Sequence, residues 1–136
     1  MTDKEPDSNY PDKSSNRLAQ HGVTIEAFQK LIREMYFEKD VARGIPATFM
    51  WLIEEVGELA TALRETSPEE AQRIPPVELA KRRENLSAEF ADVLAWLTTI
   101  ANVAEVDLGK SIADKYGSGC PGCQGFVCVC PDEEKP

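Results

Sequence analysis

Two short clusters of carboxylate residues in this sequence have the residue types and spacing of a metal-binding site. The first contains Glu54, Glu55 and Glu58, and the second contains Glu89 and Asp92. Each cluster holds two acids three positions apart, and like charges at that spacing on one helix face destabilise the helix by about 0.2–0.5 kcal/mol. A bound cation would offset this repulsion. Carboxylate oxygens are the ligands that hard divalent cations such as Mg²⁺ and Mn²⁺ prefer, whereas zinc prefers cysteine and histidine.

Both acidic pairs are predicted to border apolar helix faces. At about 100° per residue, Glu55 and Glu58 lie beside the apolar stripe of one helix. Glu89 and Asp92 lie on the equivalent side of the stripe of another helix. The two pairs can therefore face each other and hold a metal ion. The alternative is that all four are solvated acids on the surface of an acidic protein.

Two tryptophans accompany the acids. Trp51 comes one helical turn before Glu55, and Trp96 comes one turn after Asp92. If the two helices are antiparallel, both indoles lie at the same end of the pair. An aromatic slot beside a cation cluster suits a nucleoside triphosphate, with its phosphates on the metal and its base stacked on a ring. The alternative is that both tryptophans pack at the rim of the core.

The sequence predicts that these residues lie on helices. Apolar residues recur at spacings of three and four, and the strict alternation typical of strands is absent, so the sequence predicts an all-α fold with four helices. Thr24 and Asp107 are the predicted N-caps of the first and fourth helices. The predicted helices are residues 25–43, 46 or 47–64, 76 or 86–105 and 108–116, with one helical turn around 68–72.

The chain length of 136 residues allows one domain, at about 100–200 residues per domain. Residues 1–21 are polar and contain two prolines, which predicts a disordered N-terminal tail. Residues 22–117 form the predicted helical domain, and residues 118–136 form a cysteine-rich tail. Four helices leave much apolar surface for one bundle to cover, so we expect a homo-oligomer, a dimer or a tetramer.

The charge balance excludes several classes of partner. With 15 Lys+Arg against 24 Asp+Glu, the net charge of −9 repels phosphate backbones and anionic membranes, which argues against nucleic acid or membrane as a partner. No run of about 18 apolar residues is present, and the N-terminus lacks the apolar core of a signal peptide. We therefore expect a cytoplasmic protein.

All four cysteines fall within one short segment after the last predicted helix, with a C-x₂-C-x₄-C-x-C spacing: Cys120, Cys123, Cys128 and Cys130. The first half resembles a zinc knuckle, and four thiolates make a closed, structural zinc site. Disulfides and free thiols are the alternatives, and a cytoplasmic setting disfavours disulfides. A site shared between subunits stays open. The one histidine, His21, lies far from this segment and from the acids in sequence.

Glu54-Glu55-Val56-Gly57-Glu58, followed by Glu89-Phe90-Ala91-Asp92, resembles the EExxE and ExxD motifs of the MazG-type nucleotide pyrophosphohydrolases. The closing Asp114-Lys115-Tyr116 is similar to the lysine-aromatic ending of that family, and the resemblance covers residues 25–117. It implies an all-α bundle, assembled as a dimer or a dimer of dimers, that hydrolyses nucleoside triphosphates to the monophosphate and pyrophosphate with Mg²⁺.

The resemblance also implies roles for individual residues. It assigns the metal to Glu55, Glu58, Glu89 and Asp92. Glu54 completes a second metal site or orients the attacking water, and either Glu54 or Glu55 takes the proton. An acidic protein needs local cations for substrate phosphates. The preferred candidates are Lys110 and Lys115, with Arg33, Lys39 and Arg43 of the first helix behind them, although a solvated surface role suits each lysine as well.

Three functions compete at this stage. The first is hydrolysis of deoxynucleoside or noncanonical nucleoside triphosphates. The second, within the same superfamily, is the phosphoribosyl-ATP pyrophosphatase reaction. The third is a noncatalytic helical assembly module whose zinc tail contacts a partner.

Overall fold

The computed structural model describes residues 22–131, and all regular secondary structure in that range is helical. The five helices are α1 (Ile25–Arg43), α2 (Ile45–Glu65), α3 (Pro68–Ala71), α4 (Pro76–Val103) and α5 (Leu108–Tyr116). The predicted all-α class is therefore confirmed, and the single turn expected around 68–72 forms α3. The predicted disordered tail, residues 1–21, and residues 132–136 lie outside the described residues.

Local capping chemistry sets the helix ends. Thr24 Oγ1 accepts a hydrogen bond from the Ala27 N–H at 3.1 Å, and an Asp107 carboxylate oxygen accepts one from the Lys110 N–H at 2.8 Å. Both are the predicted N-caps. Gly44 is the single residue between α1 and α2. Its φ of +79° is a backbone conformation that glycine adopts without steric cost. Pro46 follows in the first turn of α2, where its missing N–H costs no hydrogen bond.

The connection between α2 and α4 is short and contains α3. α4 begins at Pro76, the earlier of the two predicted starts, and runs for 28 residues. Arg82, in the second turn of α4, donates to the Glu65 carbonyl at 3.2 Å and pairs with Glu78 at 3.2 Å and Glu70 at 3.5 Å. These contacts link the connection to α4 and stabilise the polar first turns of α4 as helix.

α2 and α4 form the main helix pair, α1 packs across α4, and α5 packs against α1. Gln29 links α1 to the start of α5. Its side-chain N–H donates to the Val106 carbonyl at 2.8 Å, and its side-chain oxygen accepts from the Leu108 N–H at 2.9 Å. No helix within residues 22–131 is long and apolar enough to cross a membrane.

The buried core of the single chain is small and partly polar. The buried apolar residues are Ile32, Leu52, Ala62 and Ala101, and the buried polar residues are Asp40, Thr48, Glu89, Thr98, Thr99 and Asn102. Several residues of the predicted apolar stripes are exposed instead, among them Phe49 and Ile53 of α2 and Phe90 and Leu97 of α4. Their spacing predicted a buried apolar face, but in the single chain these side chains are about half exposed.

Candidate functional site

The α2–α4 pair brings the two acidic clusters together. One carboxylate oxygen from each of Glu55, Glu58 and Glu89 lies within 4.8 Å of the others, close enough for the three to share one cation. Asp92, one turn beyond Glu89, is exposed at the edge of the group, and its charge acts on Glu55. Three of the four predicted acids therefore converge, and Asp92 lies outside the three-acid group.

The electrostatics of this group favour a bound cation. Partial burial and the neighbouring charge of Glu58 raise the pKa of Glu55 above its ordinary value, and the charges of Asp92 and Glu89 act in the same direction. Glu89 is buried, and its Oε2 has no hydrogen-bond partner among the described residues. A buried oxygen without a partner costs about 1–3 kcal/mol. A divalent cation among these carboxylates would offset their mutual repulsion and offer Glu89 a partner, so the residues present fit a metal.

The two tryptophans lie at the same end of the helix pair, beside the acids. Their rings stack with centroids 5.9 Å apart and planes 13° from parallel. Trp96 Nε1–H donates to Glu55 Oε1 at 3.2 Å, which opposes the rise in the Glu55 pKa. Because the rings stack on each other, the space between them is already filled by aromatic contact. Trp96 therefore contacts Glu55 directly, while base stacking on either ring stays a prediction.

A cavity of about 340 Å³ opens between α1 and α4, directly beside the acids. Its lining includes Asp92 and Trp96 from α4, and Tyr36, Lys39 and Arg43 from α1. The cavity therefore combines one acid of the cluster with two cations and two aromatic rings. Its size falls within the range of about 300–1,000 Å³ that is typical of small-molecule sites.

A buried ion pair forms the wall of this cavity at the C-terminal end of α1. Arg43 donates to Asp40 Oδ1 at 3.0 Å and to Thr48 Oγ1 at 3.4 Å, and its guanidinium lies 5.0 Å from the Trp96 ring. Asp40 and Thr48 are buried. Sequence reasoning named Arg43 only as a reserve cation and missed Asp40 and Thr48. The available signal was an acid three positions before an arginine at a helix end.

Glu54 lies apart from Glu55, because neighbouring residues on a helix point about 100° apart. It lines a second, more open cavity of about 340 Å³ together with Glu58 and Glu89. Asn85, one turn before Glu89, lines the same cavity and was missed by the sequence reasoning. Its side-chain oxygen is a ligand type that Mg²⁺ accepts. Asn85 carries no charge, so a search for charged residues does not find it. Only its position in the cavity beside Glu89 identifies it.

The two lysines predicted to meet substrate phosphates are on α5, which packs against α1. Lys110 forms an ion pair with Asp114, and the Lys115 ammonium lies 5.4 Å from the ring of Tyr116. The lining of the two cavities beside the acids includes neither lysine. Their contact with substrate stays a prediction, whereas Lys39 and Arg43 line the cavity that contains Asp92.

The four cysteines form a second convergent group in the loop after α5. Their Sγ atoms all lie within 4.8 Å of one another, and all four are free thiols. Backbone N–H groups, that of Val129 foremost, lower the pKa of Cys123 to about 6. The side-chain hydrogen bond with Cys128 raises the pKa of Cys130 to about 12. These N–H contacts therefore favour a thiolate at Cys123.

Comparison with known proteins adds one finding. The model of the MazG nucleotide pyrophosphohydrolase domain matches residues 44–121. A search of curated proteins gives no significant match. The matched range contains both acidic clusters, both tryptophans and α5. It does not include α1, which supplies Lys39, Asp40 and Arg43, and it ends before the last three cysteines.

Proposed function

The chain belongs to the MazG nucleotide pyrophosphohydrolase family, and we propose from that premise that it hydrolyses nucleoside triphosphates to the monophosphate and pyrophosphate in a reaction that depends on Mg²⁺ or Mn²⁺. The observation that carries the proposal is the convergence of Glu55, Glu58 and Glu89, with an unpartnered buried oxygen on Glu89. Deoxynucleoside or noncanonical nucleoside triphosphates are the proposed substrates.

The metal would be held by Glu55, Glu58, Glu89 and Asp92. When bound, Mg²⁺ supplies neutralisation of phosphate charge and a lowered pKa for water. Glu55 is held in place by the Trp96 N–H, which leaves one of its carboxylate oxygens for the cation. The buried Glu89 is screened from water, so its negative charge acts through a lower dielectric than that of an exposed acid.

Glu54 is the better of the two candidate bases. Glu55 already accepts a hydrogen bond from Trp96, whereas Glu54 is exposed and lines the open cavity together with Glu58 and Glu89. We therefore assign Glu54 to orient the attacking water and accept its proton. The water attacks the α-phosphorus, the bond to the bridging oxygen breaks, and pyrophosphate leaves.

The cavity between α1 and α4 is the proposed place for the rest of the substrate. Lys39 supplies positive charge that a triphosphate needs in a protein of net charge −9, whereas the charge of Arg43 is balanced by Asp40. Tyr36 and Trp96 offer aromatic surface to a base or sugar. Lys110 and Lys115 remain the alternative cations, and they would require a substrate that extends towards α5.

The reaction is tested by measuring pyrophosphate release from a panel of canonical and modified nucleoside triphosphates, with Mg²⁺, Mn²⁺ or EDTA. We expect equimolar monophosphate and pyrophosphate, and loss of turnover in EDTA that excess Mg²⁺ restores. Release of inorganic phosphate instead of pyrophosphate would contradict the assigned bond cleavage.

The same panel separates the competing functions. Turnover of phosphoribosyl-ATP alone would indicate that the chain catalyses the phosphoribosyl-ATP pyrophosphatase reaction instead. No turnover of any of these compounds, in a folded protein supplied with Mg²⁺, would favour the noncatalytic assembly module.

We also propose that the chain forms a homo-oligomer through the outer side of the α2–α4 pair. The exposed apolar residues there recur at spacings of three, four or seven, and they are Phe49, Ile53, Val56 and Leu63 of α2 and Phe90, Leu94 and Leu97 of α4. By helical periodicity these residues lie on one side of the antiparallel pair, and the acids lie on the other. An exposed apolar face of this extent is typical of a subunit interface.

Sedimentation of the purified chain tests the interface. We expect the wild-type protein to have a multiple of the chain mass, and Leu97→Glu to shift it to a smaller species, because burying a charge without a partner in an apolar interface is costly. Val77→Glu is the matched control, since Val77 is exposed on another face of α4 and should not alter the mass. A monomeric wild-type protein would contradict the proposal.

A further inference from the structure

The loop that follows α5 has a defined conformation but no apolar core. Its large apolar side chains point into solvent, with relative exposures of 101% for Phe126, 74% for Val127 and 80% for Val129. No residue from 117 to 131 is classed as buried, and no helix or strand forms there. Hydrophobic burial therefore does not hold this segment, and small segments without a core depend on disulfides or a metal.

The sulfur atoms of this loop have the spacing of a tetrahedral metal site. Four thiolates around a zinc ion at about 2.3 Å place each pair of sulfurs about 3.8 Å apart. Here Cys120 Sγ lies 3.4 Å from Cys128 Sγ and 3.8 Å from Cys130 Sγ, and all four sulfurs lie within 4.8 Å. A disulfide needs about 2.05 Å and joins sulfurs two at a time. The convergence of four sulfurs on one point is the arrangement of a metal site.

The backbone of the loop is built around these sulfurs. The Val129 N–H donates to Cys123 Sγ at 3.5 Å, and the Cys130 N–H lies 3.4 Å from Cys128 Sγ. Such N–H contacts stabilise thiolate charge and orient metal-binding sulfurs.

Two turn hydrogen bonds bring the two halves of the loop together. The Cys120 N–H donates to the Gly125 carbonyl at 2.9 Å, and the Gln124 N–H donates to the Cys120 carbonyl at 2.7 Å. Gly119, at φ +110°, allows this approach, because a Cβ there would lie 2.6 Å from the Gly125 carbonyl oxygen. The fold of the loop therefore places its four thiols around one point.

We propose that Cys120, Cys123, Cys128 and Cys130 bind one structural zinc ion, separate from the acidic cluster. Four soft thiolate ligands select zinc over Mg²⁺, and they leave no open position for a water or a substrate. The ion replaces the missing core and fixes the loop to the end of α5. Three of the four ligands lie beyond residue 121, outside the matched family domain, which includes only Cys120.

The test uses the full-length chain and its bound metal. All four cysteines of the sequence lie in this loop and the one histidine is His21, so thiol counts and cobalt–thiolate absorption report on this site alone. We expect one zinc per chain by elemental analysis. After removal of zinc by a chelator, Co²⁺ should give the spectrum of a tetrahedral four-sulfur site, and four thiols should react where none reacted before.

Variants distinguish this site from the acidic cluster. Cys120→Ser and Cys128→Ser should each weaken zinc binding by at least about 100-fold while leaving the helical circular dichroism intact. Ser118→Ala, a loop variant that removes no sulfur, should keep one zinc. Glu58→Gln should also keep one zinc, whatever its effect on nucleotide turnover.

Several results would overturn the zinc site. They are a chain that binds neither Zn²⁺ nor Co²⁺ after reduction, iron as the bound metal, or four thiols that react freely in the zinc-loaded protein. None of these readouts depends on hydrolysis of a nucleotide. Failure of the zinc site and failure of the proposed reaction are therefore separate outcomes.

Discussion

Replacing Glu58 by glutamine should lower kcat/KM for pyrophosphate release by at least about 100-fold, because a neutral amide supplies no charge to a shared divalent cation. Glu58 is exposed, and its charge helps to raise the pKa of Glu55. Removing that charge relieves repulsion in the metal-free protein, so the free energy of unfolding should stay the same or rise. A large loss of activity without a loss of stability is the expected signature of a ligand.

The matched control is Glu84→Gln, since Glu84 is an exposed acid of α4 that lines neither cavity beside the acids. Its kcat/KM should stay within about threefold of wild type, as expected for a surface substitution away from the site. The comparison needs pyrophosphate release over a range of Mg²⁺ concentrations, together with thermal unfolding of both variants. If Glu58→Gln kept wild-type turnover at limiting Mg²⁺, Glu58 would not be a metal ligand.

Replacing Arg43 by methionine should lower the free energy of unfolding by about 3 kcal/mol, because it leaves the buried Asp40 carboxylate without its cation. Only 3% of the Asp40 side chain is exposed, and its Oδ2 already has no hydrogen-bond partner among the described residues. Methionine keeps most of the volume of the arginine stem, so the loss measures the charge more than the packing. Thr48 also loses its contact with the guanidinium.

Urea unfolding of matched variants measures this effect. Arg73→Met is the control, because Arg73 pairs with Glu70 at 3.5 Å in a geometry where 73% of the arginine side chain is exposed. Exposed pairs contribute about 0–1 kcal/mol. Adding Asp40→Asn to Arg43→Met should recover part of the loss. Equal losses for Arg43→Met and Arg73→Met would show that the Asp40–Arg43 pair does not behave as buried.

The helices and their ends follow from short-range chemistry. Thr24 and Asp107 cap helices because a side-chain oxygen three residues upstream of an N–H satisfies it wherever the rest of the chain lies. Gly44 also ends α1 for a local reason, because its φ of +79° is a conformation that glycine adopts without steric cost. The long α4 shows the limit of local composition, because the contacts of Arg82 with Glu65, Glu70 and Glu78 hold as helix a stretch whose residues are mostly polar.

The acidic cluster was also predictable, since a period of 3.6 residues places Glu55 and Glu58 on one helix face, as it does Glu89 and Asp92. The spacing of the four cysteines was visible because they lie close together in sequence. Each acidic pair and the cysteine group depend on residues a few positions apart, whereas the meeting of Glu55 and Glu58 with Glu89 depends on how α2 packs against α4.

The relative orientation of the helices is visible in the tertiary structure and not in the sequence. Trp96 donates to Glu55 across 41 positions, and Arg43 lies over the Trp96 ring from a third helix. Such contacts depend on the rotation and crossing of packed helices, which side-chain shape sets and a one-dimensional period does not contain. For the same reason the apolar stripes of α2 and α4 were recognised in the sequence, whereas the exposure of residues such as Phe49 and Phe90 became visible only once the helices were packed.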